Sequence, residues 1–160
     1  PLGRQGRSPL FLALSGSELG EQSKLSLARQ KDIALDCAAE LPEQLSVSDV
    51  DLCVILGNLL DNAVEACEKI PPEGRFLRVY CAVVKHQLYL SVQNSAKEEL
   101  DFDERNYISK KRGNHGLGMK RVKVLVDQYQ GFLNLQNQPG IFAAEVLLPL
   151  TAPQSPCAHP

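Results

Sequence analysis

Long apolar runs are missing from this chain of 160 residues. None approaches the roughly 18–20 residues that span a bilayer as a helix, and the apolar stretch 10–14 is too short for the core of a signal peptide. A basic excess is missing as well: 17 Lys and Arg stand against 19 Asp and Glu, a formal net charge of −2. Nucleic-acid binders carry the opposite balance, so the composition speaks against direct contact with nucleic acid and, lacking a basic patch, against direct membrane contact. There is no Cys-x-x-Cys pair among the five cysteines, Cys37, Cys53, Cys67, Cys81 and Cys157. Clustered, closely spaced zinc ligands are therefore absent. Four of the five stand in apolar segments and read as buried free thiols in a reducing compartment. No internal repeat occurs. An initiating Met is also missing, and the start Pro1-Leu2-Gly3-Arg4 is expected to be the edge of an excised piece.

What is present is the composition of one globular domain, 44% hydrophobic and 22% charged, long enough to bury a core without staples. Residues 1–17 read as linker and 18–150 as the domain. Helical spacing of Leu19, Leu25, Leu27 and Ala28 predicts a helix over 18–31. A short strand over 33–37 follows. Ser48 or Asp49 can cap the next helix, which runs to about Ile70 and stops at Pro71-Pro72. β-rich runs over 76–84 and 87–93 flank Lys85-His86, the length of a tight hairpin. Residues 95–114 are polar and weakly patterned. A structureless loop of that length within a compact domain is often a functional lid. A helix over 116–130 is expected to end at Gly131 as its C′ glycine. Strands over 132–136 and 141–148 are joined by the turn Asn137-Gln138-Pro139-Gly140, and the proline-rich residues 151–160 read as a disordered tail. Strands mixed with two long helices imply an α+β fold, a two-layer sandwich with helices on one face of a mixed sheet.

Two segments carry chemistry. In the long helix, Leu52, Leu56, Leu59, Ala63 and Cys67 share one side, while Asn58, Asn62 and Glu65 form a polar stripe opposite, with Asp61 one step round. Asparagine and aspartate are poor mid-helix residues because their side chains compete for backbone hydrogen bonds. An amide oxygen is a hard, neutral ligand suited to Mg²⁺; the plainer reading is a solvated, Asn-rich face. The second segment is Ser109-Lys110-Lys111-Arg112-Gly113-Asn114-His115-Gly116-Leu117-Gly118-Met119-Lys120. Its glycines fall where a loop becomes a helix. There the backbone can approach phosphate oxygens and the helix N-terminus offers free N–H groups. A plain helix start beside a solvated basic loop is the alternative.

The run from Asn58 to Ala66 resembles the N box of the GHKL superfamily (gyrase, Hsp90, histidine kinase, MutL), and His115-Gly116-Leu117-Gly118-Met119-Lys120 resembles its G2 box. The order of elements between them resembles the Bergerat ATP-binding fold over about residues 25–150. The resemblance implies ATP and Mg²⁺ as cofactors. Asn62, with Asn58, would hold the metal. Asp61, Glu65, Asn94, Ser95, Gly116, Leu117 and Gly118 would line the nucleotide, and Lys110 or His115 would neutralise the transferring phosphoryl group. The superfamily's ATPases carry a glutamate as general base one turn before the metal-binding asparagine. Here that position is Asn58, and an amide cannot take a proton at neutral pH, which favours a kinase over an ATPase.

The adenine-binding Asp-x-Gly-x-Gly box does not appear. The strand ends Gln93-Asn94-Ser95-Ala96, an ending similar to that of sensor kinases paired with LytTR-type response regulators. Asn94 can still accept from an adenine amino group. The resemblance implies a protein histidine kinase of a two-component system, homodimeric in full and part of a membrane protein with this domain in the cytoplasm. Its acceptor histidine is expected on an upstream dimerisation domain, because His86, His115 and His159 lie in a predicted turn, lid and tail. The helix over 18–31 would be the remnant of that connection. An anti-sigma-factor-like serine kinase and a degenerate nucleotide-binding interaction module are the competing readings.

Overall fold

The computed structural model describes residues 24–42, 44–97, 102–110 and 116–151. The predicted linker 1–17, the start of the first predicted helix, and nearly all of the predicted tail lie outside these residues. Helix α1 is Lys24–Gln30, strand β1 Ala34–Glu40, helix α2 Asp49–Glu68, β2 Phe76–Val84 and β3 Gln87–Ser95. Helix α3 is Glu104–Lys110, α4 Gly116–Gln128, β4 Phe132–Gln138 and β5 Ile141–Pro149. The sheet order is β1-β2-β3-β5-β4, with β1 parallel to β2 and every other pairing antiparallel. This is the predicted mixed α+β sandwich. Among the described residues, no helix is long and apolar enough to cross a membrane.

Alternation on the strands decides which face is buried. Leu77, Val79 and Cys81 on β2, Leu88, Leu90 and Val92 on β3, Val146 and Leu148 on β5, and Leu133 and Leu135 on β4 all meet the helices. From α2, Leu52, Ile55, Leu56, Leu59 and Leu60 press onto them, each at most 2% exposed. Full burial of such a side chain stabilises by about 1.5–3 kcal/mol. Helix α4 adds Met119, Val122 and Val126.

Local chemistry sets the ends of the elements. The Ser48 side chain caps α2 by accepting from the Asp51 N–H at 3.1 Å, and Asp49 and Asp51 complement the helix dipole. The far end of α2 is gripped by Arg75, whose guanidinium donates to the carbonyls of Ile70 and Lys31 at 2.8 Å each. Lys85 and His86 have φ of 50° and 62°, the left-handed pair of a type I′ hairpin. At the last hairpin the strands continue through Asn137 and Gln138, so the turn shrinks to Pro139-Gly140, with Gly140 at φ 77°.

Three expectations need correction. Helix α4 does not end on Gly131 as the left-handed residue: Gln130 takes that role at φ 56°. The Gly131 N–H donates to the Val126 carbonyl at 2.8 Å and the Gln130 N–H to Asp127 at 3.0 Å, which is a Schellman motif. The stretch 95–114 is not structureless, because α3 forms within it. Cys37 is exposed rather than buried, since β1 is an edge strand with little laid over it; Cys67 and Cys81 are buried and Cys53 is partly so.

Candidate functional site

The site is built on α2. The predicted apolar side is buried, but Ile55, Leu60 and Val64 are buried too, so the helix is enclosed on most sides. The amide stripe is therefore not a solvated face. Asn62 is only 7% exposed, Asn58 and Glu65 are half-buried, and Asp61 is exposed. A buried amide is costly unless hydrogen-bonded, and the Asn62 Oδ1 accepts from the Tyr107 hydroxyl at 2.9 Å. Tyr107 comes from α3. Its ring lies 5.1 Å from that of Phe142 on β5 and 5.5 Å from that of Phe102, so three aromatic rings seat α3 over the cleft.

Asn58 is oriented from below. Its Nδ2 donates to the Val54 carbonyl one turn back at 2.7 Å. The oxygen is thereby turned toward α4, where a Cβ added to Gly118 would lie 2.7 Å from Oδ1. The bare backbone of Gly118 is what lets this amide face the first turn of α4. Helix start and amide stripe thus meet directly.

Asn94 is buried at 1% exposure on the helix-facing side of β3. It sits in register between Leu77 of β2 and Phe142 of β5, and its Nδ2 donates to the Ser95 carbonyl at 3.0 Å. Phe142 in turn carries the Tyr107 ring, so Asn94 is linked to Asn62 through two aromatic side chains. The structure sets Asn58 against Gly118 and connects Asn62, through Tyr107 and Phe142, to Asn94. Gly116 opens α4.

Other predicted site residues are engaged elsewhere. The Asp61 carboxylate pairs with Lys24 of α1 at 2.5 Å. The Ser95 Oγ accepts from the Phe76 N–H at 3.0 Å and lies 3.5 Å from the Cys67 thiol. Burial pushes that thiol upward, against the lowering effect of its hydrogen bonds to Ser95. Leu117 is 54% exposed. Lys110 ends α3, and His115 lies outside the described residues. A hollow of about 340 Å³ at the C-terminal end of α2, lined by Lys69, Ile70, Pro71, Phe76 and Lys97 among others, shares only Ser95 with the predicted site. The sequence reading missed Phe102, Tyr107 and Phe142. Two aromatics in an otherwise polar, charged stretch were the available signal.

The fold is that of histidine-kinase catalytic domains. Residues 47–149 match the model of the GHKL domain family, and the chain belongs to that family. A relative is the sensor protein EvgS of Escherichia coli (strain K12), 29% identical over 126 residues that cover 72% of this chain and 10% of EvgS. The chain thus spans about a tenth of that protein's length. The catalytic domain of the histidine kinase ThkA superimposes with a TM-score of 0.65 at 17% identity, over 78% of this chain and 84% of ThkA's. The mycobacterial sensor histidine kinase MprB gives 0.61 at 20% identity, over 79% and 91%. Full-length ShkA, solved in complex with AMPPNP, gives 0.65 at 20% identity, over 80% and 28%.

Proposed function

We propose that the chain is the ATP-binding catalytic domain of a two-component sensor histidine kinase. It would transfer the γ-phosphoryl group of ATP to a histidine on a dimerisation domain outside these 160 residues. The observation that carries this reading is the meeting of the Asn58 amide with Gly118 inside the family-matched span, one helical turn from buried Asn62.

The donors fit a magnesium-bearing nucleotide. Asn62 and Asn58 offer neutral, hard oxygens that would hold the metal beside the phosphates without adding protein charge. Bound there, magnesium would offset phosphate charge as it builds up during transfer. The chain's own residues do the positioning. The Asn94 oxygen accepts from the adenine amino group, and the N–H groups at the start of α4 hold phosphate oxygens. Lys110 or His115 supplies positive charge at the γ-phosphoryl. An imidazole nitrogen of the acceptor attacks phosphorus, an N–P bond forms as the P–O bond to ADP breaks, and the imidazole's proton is released to solvent. Such catalysis is mainly positioning and electrostatics. With an amide at position 58, no side chain there can activate water, so ATP is spared for the transfer. The phosphoryl group then passes to a response regulator of the LytTR type, which the Asn94-Ser95 strand ending supports, and the domain works on the cytoplasmic side of a membrane-anchored homodimer.

Calorimetry with ADP, with and without Mg²⁺, tests the first half. Binding should require the metal and should disappear in Asn62→Ala, while the fold survives. No binding at millimolar nucleotide would favour an interaction module instead. Adding an acceptor-helix fragment with labelled ATP tests the second half. Label released by acid marks phosphohistidine, whereas acid-stable label on a partner's serine would mark a serine kinase.

A further inference from the structure

We propose that Tyr107 is a latch: its hydroxyl holds the oxygen of Asn62 that a magnesium ion would need, so closure of α3 and binding of a magnesium nucleotide exclude one another. This inference rests on the nucleotide reading of the cleft.

Three observations carry it. The Tyr107 hydroxyl donates to the Asn62 Oδ1 at 2.9 Å, the very atom an amide offers to a hard cation. Asn62 is almost wholly buried, at 7% exposure, so a cation cannot reach Oδ1 from bulk water past the helix laid over it. The contact is also supported from behind. Tyr107 packs on Phe102 and Phe142 with ring centroids 5.5 Å and 5.1 Å away, and α3 leans on α4 as well. Magnesium demands near-ideal octahedral approach at about 2.0–2.1 Å. An amide oxygen has two lone pairs, so the bond blocks the metal together with the burial: with α3 seated over the nearly buried Oδ1, the octahedral shell forms only once the hydroxyl and its helix move aside. The closed state thereby taxes apparent affinity by the fraction of molecules in which α3 is displaced.

The latch separates from the lid's packing by one atom. Tyr107→Phe keeps the ring against Phe102 and Phe142 and removes only the hydroxyl. A neutral hydrogen bond of ordinary net strength predicts that the variant binds Mg·ADP about fivefold more tightly. ADP without metal should change by less than about twofold, because the contested atom serves the metal. Hydrogen exchange of the α3 amides should be faster in the nucleotide-free variant than in the nucleotide-free parent. Calorimetry of both proteins with ADP, with and without Mg²⁺, reads the first two outcomes. Equal or weaker Mg·ADP binding by Tyr107→Phe, with the parent binding normally, overturns the latch and leaves the nucleotide reading standing. An equal gain with and without metal also overturns it, since the lid would merely have loosened. If neither protein binds nucleotide, the reading beneath the latch falls and the latch with it.

Discussion

Glycines stand near both ends of α4, and they are there for different reasons. At the far end, a Cβ on Gly131 would lie 2.3 Å from the Leu147 carbonyl oxygen and 2.7 Å from Leu148 Cδ2. The obstacle is the backbone of β5, which is fixed by its pairing to β3 and β4. At the near end, the three atoms nearest a Cβ on Gly118 all belong to the Asn58 side chain, its Oδ1 first at 2.7 Å. The first glycine lets helix and sheet approach each other, and the second lets the helix approach a functional group. One end of α4 belongs to the scaffold and the other to the cleft, and the two ends should respond to different perturbations.

The largest effect is expected at the scaffold end. Gly131→Ala forces a methyl group against a carbonyl that cannot swing aside, and Gly131 lies beyond the helix, so alanine brings no helical gain there. Overpacking of this kind costs about 3 kcal/mol, or roughly 6–12 °C in Tm for a domain of this size. Thermal unfolding followed by circular dichroism measures it. A loss under about 1 kcal/mol would show that β5 yields more than its pairing suggests.

Alkaline pH should also load the scaffold. Cys81 is fully buried in β2, and burial, reinforced by nearby Cys37, pushes its thiol from 9.0 up to about 12. Between those values the unfolded chain releases this proton and the folded chain keeps it. Stability from this group is therefore complete below pH 9 and falls as pH rises from 9 towards 12, by about 1.4 kcal/mol per pH unit. Urea midpoints across that range, compared between the parent and Cys81→Ala, isolate the contribution: the variant's decline should be shallower. Equal slopes would mean that Cys81 ionises in the folded protein as readily as in the unfolded one.

The same division explains what the sequence made legible. The scaffold could be read wherever local chemistry decides: the Ser48 cap, the Pro71-Pro72 stop, the Lys85-His86 hairpin and the apolar side of α2. The site was legible as two segments, because mid-helix amides and glycines at a helix start are locally odd. Features set by distant partners were not. Helix α3 has seven residues, too few to show a period, and is held by Asn62, 45 positions away in sequence from Tyr107. Gly131 looked like a helix terminator because glycine usually is one. Its actual task depends on Leu147, which no local pattern names. Asp61 stands one step round from the amide stripe, yet Lys24 of α1 holds its carboxylate.

The smallest effect on stability, and the sharpest test of the contrast, is expected from Gly118→Ala. Within the first turns of α4, alanine gains up to about 1 kcal/mol of helix propensity over glycine. Against this, the new methyl displaces the Asn58 oxygen, and the amide has to rotate off the Val54 carbonyl it now grips at 2.7 Å. Losing that bond costs about 1 kcal/mol. The two terms nearly cancel, so Tm should move by only a few degrees, roughly what 1 kcal/mol allows. Nucleotide affinity should not be spared in the same way. The methyl occupies the space between Asn58 and the start of α4, where phosphate oxygens and their metal have to fit on the reading proposed above. A drop of about tenfold in Mg·ADP affinity, equivalent to about 1.4 kcal/mol, is expected while the fold stays intact. Calorimetry and thermal unfolding on one preparation decide the matter. If Gly118→Ala instead lowers stability as much as Gly131→Ala and leaves binding alone, both ends of α4 are scaffold, and the meeting of Asn58 with Gly118 is packing rather than a site.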